Sequence, residues 1–213
     1  MSVADISFPD RAENQKETAR LEAFSDGVFA IAITLLVLEL KVPHLGEEAS
    51  NHALFEAVTR QWPAYLALVT SFITILIMWV NHHGMFCHLQ RVSAPLMFTN
   101  GLLLLLVTVV PFPTALVSDY FATPAGPAAC AVYSGLFVLL AIAFNLLWWV
   151  ARRDGDLLHP ESEAAERDRI TRAYAMGPVV YLLALGGAFV SVYLSIGICT
   201  ALWVFWIALM RRL

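Results

Sequence analysis

The chain has 213 residues, 59% of them hydrophobic and only 14% charged, with a mean hydropathy of +0.70. That composition excludes a soluble globular domain and marks an integral membrane protein with no room for a separate soluble unit. A formal net charge of −4 offers no basic surface for a nucleic-acid partner, and the three widely spaced cysteines, Cys87, Cys130 and Cys199, argue against a disulfide framework and read as small buried side chains.

In chain order, residues 1–23 are polar, lack an apolar stretch followed by a cleavage site, and read as a cytosolic N-terminal arm that turns helical near the membrane. Residues 24–213 read as one all-α membrane domain of six transmembrane helices, at about 24–43, 62–81, 96–117, 128–150, 173–192 and 196–211. Trp62-Pro63 opens the second span and Pro95 the third, and Pro111 and Pro113 bend the far end of the third. The stretch His44 to Thr59 reads as an outer loop. The inner loop, Ala151 to Arg172, carries a proline-led helix start that extends the fifth helix. The last two spans divide at Gly186-Gly187, Ser191, Ser195 and Gly197, because the apolar run between Arg172 and Arg211 is too long for one crossing.

Arg11, Lys16, Arg20, Arg91, Arg152, Arg153, Arg167, Arg169, Arg172, Arg211 and Arg212 then collect on one side, against Lys41 and Arg60 on the other. By the positive-inside rule both termini are expected in the cytosol. No internal repeat supports a two-halves transporter design.

The first span organises the rest. From Phe24 to about Val42 it is long enough to cross a hydrocarbon core of roughly 30 Å. At about 100° per residue, Ile31, Leu35 and Leu38 fall on one stripe, with Gly27 below them and Thr34 at the flank, while Ser25 and Asp26 point to the opposite half. Ile31 would sit about 10 Å and Leu38 about 21 Å above Phe24. Taken alone, such a stripe suits lipid or a neighbouring helix as well as a pore.

The run Arg20-x-x-x-Phe24-Ser25-Asp26 followed by GVFAIAITLLVLEL resembles the signature of the endosomal and lysosomal potassium channel family, transmembrane protein 175, in its short prokaryotic form. The resemblance continues through Trp79-Val80-Asn81-His82-His83 and from Asn100 to Pro111-Phe112-Pro113, and so covers roughly the first half of the chain. It implies a potassium-selective channel without a filter loop, assembled as a homotetramer in a prokaryotic cell membrane. The first helix would line a central pore, with Ile31, Leu35 and Leu38 as the constriction and Thr34 linked to selectivity. Potassium would be the permeant ion, and no cofactor is implied. The sequence contains no TVGYG segment. A narrow apolar passage gates by dewetting and favours potassium, which holds its water less tightly than sodium.

Asp26, His82, His83 and Asn100 share one depth at the cytosolic end, and an intramembrane carboxylate is costly unless paired. Asp26 and Ser25 are expected to bond to one or both histidines and to Asn100, with Arg20 completing the cluster or guarding the inner mouth. Two roles stay open: a brace that sets the tilt of the pore helix, and a proton sensor built on the histidines. The latter sustains an alternative, a proton-coupled carrier using Asp26, His82 and His83. Metal binding is not expected, because His82, His83 and His88 lack the i, i+4 spacing that sets two ligands on one helix face. Glu39 either attracts cations at the outer pore mouth or marks the helix end. Trp148, Trp149, Trp203 and Trp206 read as interfacial anchors and packing residues. A membrane enzyme would need convergent ionisable residues deep in the bundle, and spans four to six offer almost none.

Overall fold

The computed structural model describes residues 11–46, 50–154, 157–159 and 164–210. They form α1 (Arg11–Leu35), continued by a 3₁₀ turn over Leu36–Glu39, then α2 (Asn51–Arg60), α3 (Trp62–Phe86), α4 (Ala94–Val109), α5 (Pro111–Tyr120), α6 (Gly126–Arg153), α7 (Ala164–Ala188) and α8 (Val192–Met210). Sequence sets several of the boundaries. Ser50 and Ser93 cap α2 and α4 by accepting from the Ala53 and Leu96 amides, and Pro63 and Pro95 occupy first-turn positions where no N–H is needed. Pro111 cannot donate into the ladder, so the third span restarts there as α5. The run expected as an outer loop contains α2, whose period-3.6 pattern was hidden by its short length.

Four helices among the described residues are long and apolar enough to cross a membrane: Glu13–Glu39, Trp62–Phe86, Ala94–Tyr120 and Gly126–Arg153. The expectation of six spans, with the topology drawn from it, is corrected by this finding. Glu166, Arg167, Asp168, Arg169 and Arg172 occupy the first half of α7, so its apolar part falls short of the roughly 20 residues a crossing needs. The apolar helix Val192–Ala208 within α8 is also short. α7 and α8 instead form a hairpin turned at Ser191, whose amide donates to the Gly187 carbonyl at 2.8 Å, and the hairpin packs on α6 and α3.

The bundle is held by close packing and by polar pairs. Trp148, Tyr133, Phe137 and Leu147 of α6 are buried in its centre. Ser71 of α3 bonds Thr114 of α5 at 2.7 Å and Tyr133 of α6 at 3.1 Å; Ser134 pairs with Ser195 of α8 at 3.0 Å. The indole of Trp203 donates to Thr74 at 3.1 Å, and Asn145 donates to the Tyr174 carbonyl at 2.8 Å. Such bonds tie helices together where apolar burial cannot, since lipid is as apolar as leucine. On the other side of the hairpin, Leu89 bridges Leu158, and the Gln90 and His159 amides donate across to Leu157 and His88, which joins the α3–α4 and α6–α7 connections. Of the three thiols, Cys130 and Cys199 are buried as expected, but Cys87 at the end of α3 is exposed.

Gly177 lets α7 approach α6 closely: a Cβ built there would lie 3.3 Å from the Ala141 Cβ. Gly177→Leu is expected to overpack this contact and destabilise the fold by about 1–3 kcal/mol, read as a lower melting temperature of the purified protein in detergent.

Candidate pore helix and its polar anchor

α1 packs along one edge against α3 and α4, and its 3₁₀ turn packs against α3 and α5. The buried edge is Ser25, Phe29, Ala32 and Leu36. The opposite edge is turned outward: Phe24, Gly27, Ile31, Thr34, Leu35 and Leu38 are exposed on the surface of the single chain, with Ile31 at 60% and Leu38 at 69%. Only 22% of the apolar window of this span is buried, against 61% for α6. The α-helix ends at Leu35, so Leu38 and Glu39 ride on the tighter 3₁₀ turn and the stripe is stretched at its upper end.

The buried edge is fixed by a one-way chain of hydrogen bonds. The Ser25 hydroxyl donates to the Leu21 carbonyl at 2.8 Å, and Asn100 Nδ2 of α4 donates to Ser25 Oγ at 2.9 Å. That leaves Asn100 Oδ1 facing His82 Nε2 of α3, 2.9 Å away. An amide oxygen can only accept, so His82 carries its proton on Nε2, and Nδ1 has no partner among the described residues. Phe29 and Phe86 flank the imidazole, at ring-centroid distances of 5.4 and 4.3 Å. Ser25, His82 and Asn100 are all fully buried.

A second, more exposed ladder runs beside it. Trp79 Nε1 donates to Asp26 Oδ1 at 2.8 Å, and one turn away His83 Nδ1 lies 2.6 Å from Glu22 Oε1. The Trp79 and His83 rings stack with centroids 6.3 Å apart. Asp26 therefore takes an indole rather than a histidine, and the carboxylate beside His83 is Glu22. Sequence reading missed Glu22, although the signal was present. Glu22 and Asp26 are i, i+4 on α1, Trp79 and His83 are i, i+4 on α3, and antiparallel helices bring two such pairs into register. Arg20 is exposed and makes no hydrogen bond or ion pair among the described residues, so it does not join the cluster. No grouping of His, Cys, Asp and Glu among the described residues could hold a metal ion.

The far end of α1 is tied as well. Lys41 Nζ donates to both Asp119 oxygens, each at 2.8 Å, which links the segment after the 3₁₀ turn to α5. The bond to Asp119 holds the Lys41 ammonium above the ordinary lysine range. Glu39 is half-buried beside this pair.

Comparison with known proteins places this arrangement. A potassium channel of Chamaesiphon minutus is 49% identical over 191 residues, covering 90% of this chain and 94% of that protein. Residues 20–111, a range that contains both ladders, match the family described as endosomal/lysosomal potassium channel TMEM175. The chain belongs to the TMEM175 family. A potassium channel of Streptomyces collinus is 46% identical over 84% of this chain and 86% of its own length. The crystal structure of a lysosomal potassium-selective channel TMEM175 homolog from Chamaesiphon minutus superposes with a TM-score of 0.82 at 47% identity, covering 92% of this chain and 98% of that one. This TMEM175 member is thus an integral membrane protein with bacterial relatives.

Asn100→Ala is expected to strand both the His82 Nε2–H and the Ser25 hydroxyl oxygen in a buried place, at about 1–3 kcal/mol each. Ser25→Ala leaves only one Asn100 donor unpaired. Thermal unfolding of the two variants should therefore show the larger loss for Asn100→Ala; equal losses would mean that the chain does not brace α1 through the amide.

Proposed function

We propose that this protein is a homotetrameric potassium channel in which copies of α1 surround a pore, with Ile31, Leu35 and Leu38 as its hydrophobic constriction. The observation that carries the reading is the two-sidedness of α1. One edge is committed to buried hydrogen bonds within the chain, while a continuous aliphatic stripe faces outward from the least buried span. The names of the relatives support potassium as the permeant ion.

Beside the stripe, Ile33, Thr34 and Val37 of α1 and Leu68, Val69, Phe72 and Ile73 of α3 line an open apolar groove. In the assembly this flank of each protomer packs against its neighbour, so the stripes converge on one axis. Apolar rings there block ions when dry and pass them when wetted. Thr34 supplies the one polar contribution at that level. Its hydroxyl hydrogen is spent on the Ile31 carbonyl at 2.9 Å, which leaves the oxygen lone pairs free to replace part of a cation's water shell. Potassium gives up that water at lower cost than sodium, so preference follows from partial dehydration rather than from a filter loop. Glu39, one residue past Leu38, adds negative charge at the mouth and raises the local cation concentration.

The test is ion flux from proteoliposomes under potassium and sodium gradients. The native protein is expected to pass potassium faster than sodium. Ile31→Asn should raise flux severalfold by wetting the constriction, and Thr34→Ala should lower the potassium preference while leaving total flux measurable. Flux that both substitutions leave unchanged would overturn the pore assignment, and flux that requires a proton gradient would overturn the channel itself.

A further inference from the structure

α2 plays no part in the pore reading, and its faces are sorted in an unusual way. No residue of α2 is buried. Leu54, Phe55 and Val58 lie within an arc of about 100° and are 47%, 72% and 37% exposed. His52, Glu56, Thr59 and Arg60 occupy the opposite arc, where Glu56 and Arg60 pair at 2.6 Å. The half-buried residues are Ala53 and Ala57, one turn apart. The helix thus offers its small side chains to the rest of the protein and turns its bulky apolar ones away.

Its position is also defined. Gln61 alone separates it from α3, and the non-helical ψ of 16° at Gln61, followed by Pro63, breaks the ladder and bends the chain there. Tyr65 Oη donates to the Val58 carbonyl at 3.1 Å and pins the last turn of α2 to the first turns of α3. α3 is long and apolar enough to cross a membrane and begins at Trp62, which puts α2 next to the end of that span, at headgroup level. Trp62 and Tyr65 are exposed at that boundary, as aromatic residues are at membrane–water interfaces.

We propose that α2 is an interfacial helix whose Leu54–Phe55–Val58 face lies in the boundary between headgroups and acyl chains, continuous with Trp62. The partner is the lipid surface itself. The helix carries one acidic and one basic residue, paired with each other, so its charge matches a zwitterionic surface and its affinity comes from apolar burial.

The experiment uses the full-length protein in phosphatidylcholine liposomes, with Cys87→Ser to remove the exposed thiol; Cys130 and Cys199 are buried. Bimane is attached at Phe55→Cys or, as the opposite face, at Glu56→Cys, and each probe is quenched by iodide in water or by a nitroxide at the lipid headgroup. Leu54→Cys repeats the apolar-face measurement in case Phe55→Cys assembles poorly. The probes at 54 and 55 are expected to be quenched severalfold more by the lipid nitroxide than the probe at 56, and to be shielded from iodide. Equal iodide access at 54, 55 and 56 would overturn the proposal in favour of a water-facing helix. Shielding of 54 and 55 from both quenchers would overturn it in favour of a second copy of the chain covering the face.

Discussion

The Asn100 carboxamide decides how α1 is rotated. Its two ends are used in opposite senses, Nδ2 donating to Ser25 and Oδ1 accepting from His82, and all three groups are buried where no water replaces a lost bond. An unpaired polar group in hydrocarbon costs several kcal/mol, so turning α1 by even one residue's worth of rotation is heavily penalised. The Trp79–Asp26 and His83–Glu22 contacts reinforce the same setting from α3. With that edge fixed, helical geometry leaves Ile31, Leu35 and Leu38 no direction but outward.

The rest of the bundle answers a different demand. α6 supplies the filled centre, and the serine, threonine, tyrosine and tryptophan pairs around it give directional contacts that lipid cannot compete with. Packing is heaviest where α7 meets α6 and α8, while the first span stays at the rim with little apolar burial of its own. A helix so placed depends on its polar contacts for position far more than a central helix does. That dependence explains why intramembrane hydrogen-bonding residues gather at Ser25, Asp26, Trp79, His82, His83 and Asn100 and are sparse along the outward stripe.

Sequence made some of this legible and hid the rest for identifiable reasons. The stripe and its opposition to Ser25 and Asp26 followed from the 3.6-residue period alone, because a rotation of about 100° per residue is insensitive to tertiary context. The meeting of Ser25 with Asn100 was also within reach, since buried polar groups at one depth must find each other. The partner of Asp26 was legible only through the matched i, i+4 spacings of Glu22/Asp26 and Trp79/His83, because hydropathy by itself carries no helix register. Six spans were expected because the run between Arg172 and Arg211 was divided at its glycine pair and Ser191 into two full crossings; the turn does fall there, but α7 already ends at Ala188 and its charged first half leaves the apolar part short. Cys87 was expected buried from residue type, yet it falls where α3 ends and its neighbours turn away.

The apolar stretch of α1 is held at both ends: one by the two ladders near Ser25, the other by the 3₁₀ turn packed on α3 and α5 and by the Lys41–Asp119 pair. The aliphatic stripe lies on the stretch between them, so bending α1 alone would strain one anchor or the other. If copies of α1 ring a pore, the width at Ile31, Leu35 and Leu38 is therefore set by how whole protomers tilt against one another along the apolar groove beside Thr34. Weak, non-directional contacts suit that sliding surface, because apolar side chains re-pack at small cost while hydrogen bonds must first break. On that condition, the polar and apolar residues of α1 are distributed as a rigid strut with a movable neighbour requires.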